Sequence, residues 1–439
     1  MGRASVVDKL DIVQAGIRCF IVDNAPTHQQ ESANAWAGRL TGLGNIVGYI
    51  FGYIDLPKVL PFLGKTRFQI LCALASIALS STLVVSCLYI KERDPRLDGP
   101  PSSDSLGIVA FAKRIMKSVR HLPPQIAKVC EVQLAAWMGW FPFLYYASTY
   151  IGQLYVNPIF EQYPNLPDDK IDQAWEKATR VGILALLIYA IVSFVANITL
   201  PIFVVPSYKP IVSSDSLHRD YLPEEEPSLG ARRTSTSSIP YGAPYDPPQD
   251  KRAKDSEGPA WLARLQIPGF TLRRAWLLSH ILYAACMFST FFVYTYQAGS
   301  AVIGLLGICW AMTLWAPFAL ISAEVSRIDA ERRIRRAQTA TTEPEDARLR
   351  SHSLEDHDND LENQEDENLA QAGIVLGLHN VAISAPQILA SLICSGIFKA
   401  FQKPRGEAWD DSLGWVFRFG GCAALGAAWL TSRLTEGRK

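Results

Sequence analysis

Long apolar runs separated by polar segments set the character of the chain. Eight runs lie at about 35–56, 68–90, 134–153, 180–205, 275–296, 299–321, 371–398 and 412–431, and a weaker one at 10–22 precedes them. A helix needs about 20 apolar residues to cross a hydrocarbon core roughly 30 Å thick. Unpaired backbone groups are forbidden there, so each run predicts a membrane helix. The expected fold is all-α: a polytopic helical membrane protein with eight spans and part of a ninth.

The polar segments orient these spans. Segment 91–133 carries Lys91, Arg93, Arg96, Lys113, Arg114, Lys117, Arg120 and Lys128, which predicts a cytosolic location. Alternation then puts 206–274, 322–370 and the tail 433–439 in the cytosol, and the acidic segment 154–179 outside. Segment 57–67 dissents, because it should lie outside yet carries Lys58, Lys65 and Arg67. Within 91–133, residues 109–123 alternate apolar and basic positions at helical spacing and predict an amphipathic helix on the inner membrane surface. That helix could join two helical halves. Residues 206–258 and 335–370 hold too few apolar residues to build a core and are expected to be disordered loops. Serines beside Arg232 and Arg233 read as a solvated spacer, with phosphorylation the alternative.

Composition agrees with this picture. Only 19% of the residues are charged, against about 25% in an average soluble chain, and the apolar runs hold almost none of that charge. The formal net charge is zero, so nothing points to nucleic acid. The eight cysteines occur singly, which argues against disulfides and metal sites. Asp8, Lys9 and Asp11 interrupt the stretch where a signal peptide would have its apolar core. No phosphate-binding, metalloprotease or serine-hydrolase motif is present, so the chain reads as no enzyme and no cofactor is expected.

Polar residues inside spans narrow the function, because they are costly in lipid. Arg18 stands among Ile17, Cys19, Phe20, Ile21 and Val22, with Asp23 five residues on. Its planar fork of donors suits a carboxylate or neighbouring sugar hydroxyls; snorkelling to the headgroups is the alternative. In 35–56, Gly38, Gly42, Gly48 and Gly52 recur with Asn34 and Asn45 on one stripe, which predicts close helix packing or sliding during gating. Arg39, one turn from Trp36, is expected near the membrane surface. Span 134–153 places Pro142 among Trp137, Trp140, Phe141, Phe143, Tyr145, Tyr146 and Tyr150. Aromatic faces stack on the C–H face of a sugar, and Tyr146, or its neighbour Tyr145, is the candidate for lining a substrate path. A lipid-facing aromatic belt is the alternative. Pro317 and Pro386 repeat the mid-span proline, a device of helices that bind and gate in transporters. Glu324 closes span 299–321. Asn380 and Gln387 lie seven apart on one face, and neighbouring His379 is expected to be neutral and bonded to a backbone carbonyl.

The stretches VQAGIRCFIVDNAP at 13–26, NAWAGRLTGLGNIVGYIFGYIDL at 34–56, VQLAAWMGWFPFLYYASTYIGQLY at 132–155, GICWAMTLWAPFALISAE at 307–324 and GIVLGLHNVAISAPQ at 373–387 carry a resemblance. They resemble fungal members of the sucrose and α-glucoside transporter group. That group is similar to plant sucrose carriers and belongs to the glycoside–pentoside–hexuronide:cation symporters of the major facilitator superfamily. The resemblance implies a twelve-span protein that couples protons to uptake of sucrose, maltose or related glucosides by alternating access, in the plasma membrane or the vacuolar membrane. It implies roles for Arg18 and Asp23 in substrate and proton coupling. It makes 1–90 the last three helices of an N-terminal half, 91–133 the interdomain link, and 134–432 a six-helix C-terminal half. Two departures stand out. Three spans that the family places before Arg18 are not in this sequence, and Val7 stands where the family has an aspartate. This predicts a truncated chain, for which a non-transporting sensor, scaffold or gene fragment is the alternative function. Transport of another glycoside is a further one.

Overall fold

The computed structural model describes residues 30–89, 122–205, 264–342 and 354–435. Nine helices occupy them: α1 (Gln30–Tyr53), α2 (Leu56–Val59), α3 (Arg67–Tyr89), α4 (Pro124–Gln162), α5 (Asp168–Phe203), α6 (Leu272–Ser289), α7 (Tyr296–Thr342), α8 (Leu354–Phe401) and α9 (Ser412–Ser432). No strand forms among the described residues; a single bridge joins Val205 to Thr271. The fold is the all-α one that the apolar runs imply. Arg18, Asp23, the run at 10–22 and nearly all of the amphipathic segment 109–123 lie outside the described residues.

Every apolar run from 35 onward falls on a helix. Among the described residues, five helical segments are long and apolar enough to cross a membrane: Arg67–Tyr89, Asp168–Phe203, Tyr296–Glu324, Gly377–Phe401 and Ser412–Ser432. The remaining three runs fall on α1, α4 and α6, where glycine, asparagine, histidine and aromatic hydroxyls dilute the hydropathy.

The boundaries differ from the expected ones in three places. The outward segment 154–179 is mostly helix, and only 163–167 turn. Asp168 and Asp169 stand in the first turn of α5, where acidic side chains meet the positive end of the helix dipole. The run 275–296 is cut short, since α6 ends at Ser289 and a turn precedes α7. Thr290 supports that turn, its hydroxyl donating to the Met287 carbonyl at 2.6 Å. Of the segment 335–370 expected to be disordered, 335–342 continue α7 and 354–370 begin α8. Residues 335–338 supply Arg, Ala and Gln, and 354–370 supply Glu and Leu, which favour helix without needing a core.

α4 is the centre of the packing and touches α5, α7, α8 and α9. Helix backbones meet at glycines. A Cβ on Gly139 of α4 would lie 2.7 Å from the Gly420 carbonyl of α9, and one on Gly307 of α7 would lie 2.6 Å from the Tyr189 carbonyl of α5. Gly182 of α5 packs in the same way against the Ser148 carbonyl of α4. α3 touches α1 and α2, and among its residues only Ile70 is buried. Its exposed Leu83, Val84, Val85 and Leu88 suit a surface facing lipid. α1 carries the contact between the two ends of the described chain, packing on α5 and α7.

Candidate functional site

The α1–α5 contact is built by part of the glycine stripe. At Gly42 a Cβ would come within 3.1 Å of Phe194, and at Gly52 within 3.2 Å of Ile183. Gly38 faces the Asn197 amide with ordinary clearance. At Gly48 no described atom lies within 4 Å of a Cβ built there. Its place on the stripe follows the sequence period, but the helix crossing turns it away from α5.

Where α1, α5 and α7 meet, the stripe leaves a narrow crevice. Gly38, Gly42 and Asn45 of α1 face Tyr189, Ser193 and Asn197 of α5, with Trp310 and Leu314 of α7 closing it. The space inside is on the order of one water molecule. All of the lining side chains are uncharged. Tyr189 is 4% exposed, and its hydroxyl has no hydrogen-bond partner among the described residues.

Trp310 connects the crevice to the aromatic side of α4. It lies edge-on to Trp137 at 5.9 Å and to Trp140 at 4.9 Å. Trp137, Phe141 and Tyr145, spaced four apart, form one row, with centroid separations of 5.3 and 5.9 Å. The row ends at Tyr145, 45% exposed, whose hydroxyl accepts a hydrogen bond from the Gln387 amide of α8. Two anticipated residues are thereby brought together. Tyr146 instead turns edge-on to Phe398 at 5.0 Å and packs against the core. The geometry therefore favours Tyr145 over Tyr146 for an open polar path. Pro142 is buried in the middle of α4. Its missing N–H leaves the Met138 carbonyl without its helical donor. The next carbonyl along, that of Gly139, takes the Tyr283 hydroxyl at 2.7 Å. Pro317 and Pro386 lie inside α7 and α8. Asn380 is half-buried, one residue from the fully buried His379. The Gln133 amide donates to the Nε2 of His379 at 3.1 Å. Glu324 holds Arg327 through two hydrogen bonds of 2.6 and 3.0 Å, and the Arg39 guanidinium lies 5.2 Å from the Trp36 ring.

One buried charge was not anticipated. Arg418 lies two turns into α9 and is 5% exposed. Its guanidinium donates to both oxygens of Asp411 at 2.5 and 3.1 Å and to the Thr290 carbonyl at 3.3 Å. The Phe291 ring lies 3.8 Å from its central carbon and the Trp415 ring 4.9 Å. An arginine inside an apolar run, seven residues from an acid on the same face, was the available signal. On the same side of the molecule, Arg405 pairs with Asp172, and the Asn157 carbonyl accepts from the Trp409 backbone at 3.0 Å and from Gln153 at 2.7 Å.

No protein-family model matches the chain. A general alpha-glucoside permease of Schizosaccharomyces pombe is 32% identical over 433 residues, which cover 96% of this chain and 70% of the permease. The sucrose transport protein SUT2 of Oryza sativa subsp. japonica is 26% identical over 198 residues, 43% of this chain and 38% of that protein. SUT1 of the same plant is 28% identical over 196 residues, 41% of this chain and 35% of that protein. These relatives are transporters and a permease, not enzymes. The match to the permease runs through nearly the whole chain, helices and connecting segments alike, and by it the chain belongs to the sucrose and α-glucoside transporter family of the major facilitator superfamily.

Proposed function

We propose that the protein carries sucrose, maltose or related α-glucosides with protons, by alternating access between an N-terminal group of helices ending in α1–α3 and a C-terminal group formed by α4–α9. The observation that carries this reading is the crevice where α1 meets α5 and α7. It is uncharged, lined by hydroxyl and amide side chains, and joined through Trp310 to a row of aromatic rings. Neutral polyols need that combination: C–H faces stack on rings while hydroxyls exchange hydrogen bonds. The permease relative supports the substrate class, and the apolar residues that flank Arg18 in the sequence support coupling to a proton. In this reading Arg18 pairs alternately with an ionised acid and with sugar hydroxyls, so that proton and sugar binding are energetically linked. Asp23 is the nearest acid in sequence. The working location is the plasma membrane, with lipid around α3.

The test is uptake of labelled maltose and sucrose by intact yeast lacking their own α-glucoside carriers. Uptake is expected to rise as external pH falls and to collapse with a protonophore. Arg18→Lys, which keeps charge but loses the fork, should reach the membrane and transport far less than Arg39→Lys. Uptake indifferent to the proton gradient removes the coupling, and no uptake of any glucoside removes the substrate class.

A further inference from the structure

We propose that the helical arms by which α7 and α8 leave the membrane clasp each other through opposite charge, on the side predicted to be cytosolic. The membrane-crossing part of α7 ends at Glu324, yet the helix runs on to Thr342. α8 begins at Leu354, and its apolar run follows from about residue 371. The α7 arm carries RRIRR at 332–336. The α8 arm carries EDHDNDLENQEDE at 355–367, with neither lysine nor arginine. Each arm is opposed by its own charge. Like charges recur four residues apart, at Arg332 and Arg336 and at Asp358, Glu362 and Asp366, a spacing that destabilises an isolated helix. An oppositely charged helix alongside offsets that repulsion in both.

The register of the two arms brings the charges level. The Phe318 ring of α7 lies 4.9 Å from the His379 ring of α8, so the helices touch at the base of the arms. Successive spans run in opposite directions, and each helix rises about 1.5 Å per residue. Arg332 stands 14 residues past Phe318 and Glu365 stands 14 residues before His379, about 21 Å from the contact in each case. Arg335 and Glu362 are level in the same way, at 17 residues and about 26 Å. Pro317 sits at the base of the α7 arm, where a proline leaves a helix free to bend. The clasp fixes the direction of the arm beyond it. Anionic lipid is the competing partner for the arginines. Arg332 is eight residues beyond Glu324, about 12 Å along the helix, against a Debye length of about 8 Å in physiological salt. The acidic arm is level with the arginines, and the headgroups are not.

The whole chain in nanodiscs of phosphatidylcholine and phosphatidylserine tests this, with genetically encoded nitroxide residues at Ile334 and Asn363. These positions are each 16 residues from the Phe318–His379 contact. Double electron–electron resonance in low salt is expected to give a distance below about 25 Å, since packed helices lie about 10 Å apart and the labels add their reach. Arg332→Glu, Arg333→Glu, Arg335→Glu and Arg336→Glu together should widen it by about 10 Å, one helix diameter, or more. Adding Asp360→Lys, Glu362→Lys, Glu365→Lys and Asp366→Lys should bring the short distance back. Raising KCl to about 1 M, which cuts the Debye length to about 3 Å, should widen the distance in the unsubstituted protein. A long distance in low salt, or one indifferent to both charge reversal and salt, overturns the clasp. A short distance that is lost when phosphatidylserine is left out also overturns it, and gives the arginines to the inner leaflet. If the reversed variant does not fold, the salt response of the unsubstituted protein decides.

Discussion

Arg180 of α5 reaches to within 3.9 Å of the Asp55 carboxylate, just beyond the end of α1. Lys58 holds the same carboxylate at 3.0 Å, and Glu176 holds Arg180 at 3.0 Å. The alternation of the spans predicts that this end of α1 faces outward. The contact ties the end of α1 to α5 one turn from the Gly52–Ile183 contact.

Separation of α1 from α5 at this end should become easier when the tie is cut. Asp55→Asn should raise, severalfold, the rate at which an impermeant maleimide modifies a cysteine placed at Ile183. The background should lack the exposed Cys72, Cys87 and Cys422. Lys58 first, and then Arg180 and Arg67, hold the Asp55 carboxyl below its ordinary value of 3.8. A carboxylate shifted down contributes stability above its unfolded pKa and loses it only as pH falls through the lowered folded value. The modification rate in the unsubstituted protein should therefore stay flat across the mildly acidic range in which uptake changes. A rise in that range would contradict the lowered pKa of Asp55.

The Arg418–Asp411 pair predicts an asymmetry. The arginine side chain is 6% exposed and the aspartate 55%. Asp411→Asn strands a buried guanidinium, for which about 2–4 kcal/mol is expected after allowing for the exposure of the acid. Arg418→Met leaves a carboxylate that can turn to water and should cost about half as much. The double substitution should be no worse than Arg418→Met alone. Thermal unfolding midpoints in detergent rank the three; Arg418→Met below Asp411→Asn would refute the account.

Gly139 and Gly48 should respond oppositely to alanine. At Gly139 the new methyl collides with the Gly420 carbonyl, so loss of about 1–3 kcal/mol or failure to accumulate is expected. At Gly48 no described atom is near, and removing glycine from a helix should be neutral or stabilise by about 0.5–1 kcal/mol. Yield and melting temperature report both, and a severe defect at Gly48 would reveal a neighbour beyond the described residues.

Tyr145 and Tyr146 separate function from packing. Tyr145→Phe removes the acceptor of the Gln387 amide and should raise the apparent Km for maltose severalfold with little change in melting temperature. Tyr146→Phe should do neither. Tyr146→Ala, which empties the contact with Phe398, should cost about 2–4 kcal/mol of stability. A maltose Km that moves with Tyr146→Phe and not with Tyr145→Phe restores Tyr146 as the lining residue.

What the sequence revealed, and what it hid, follows from the range of each signal. Apolar length located every helix of the core, because the bilayer constrains each span separately. It did not locate their ends: α4, α5, α7 and α8 continue as helix through polar residues past the apolar runs. The pairing of Tyr145 with Gln387 was foreshadowed by residue type alone, while the choice of Tyr145 over its neighbour needed the rotation of α4. Gly42 and Gly52 are contacts as the stripe suggests, yet the closest crossings, at Gly139, Gly182 and Gly307, belong to no visible repeat. Each is defined by a different helix, and no local period encodes that. The crevice was hidden for the same reason, since its lining comes from three helices. Arg418 was legible by the criterion that singled out Arg18.

The Gly139–Gly420 contact also has a bearing on biogenesis. Chains enter the membrane from their N-terminus, so α4 is inserted while α9 has yet to be synthesised. For that interval the glycine notch of α4 has lipid or the insertion machinery where a helix backbone will later sit. Tyr283, which takes the Gly139 carbonyl, arrives earlier, with α6. The central helix is thus seated in instalments, and its last neighbour is the last of the described helices. A ribosome that stops before residue 412 releases a bundle with an open slot along α4, a surface by which membrane quality control can distinguish an unfinished molecule from a finished one.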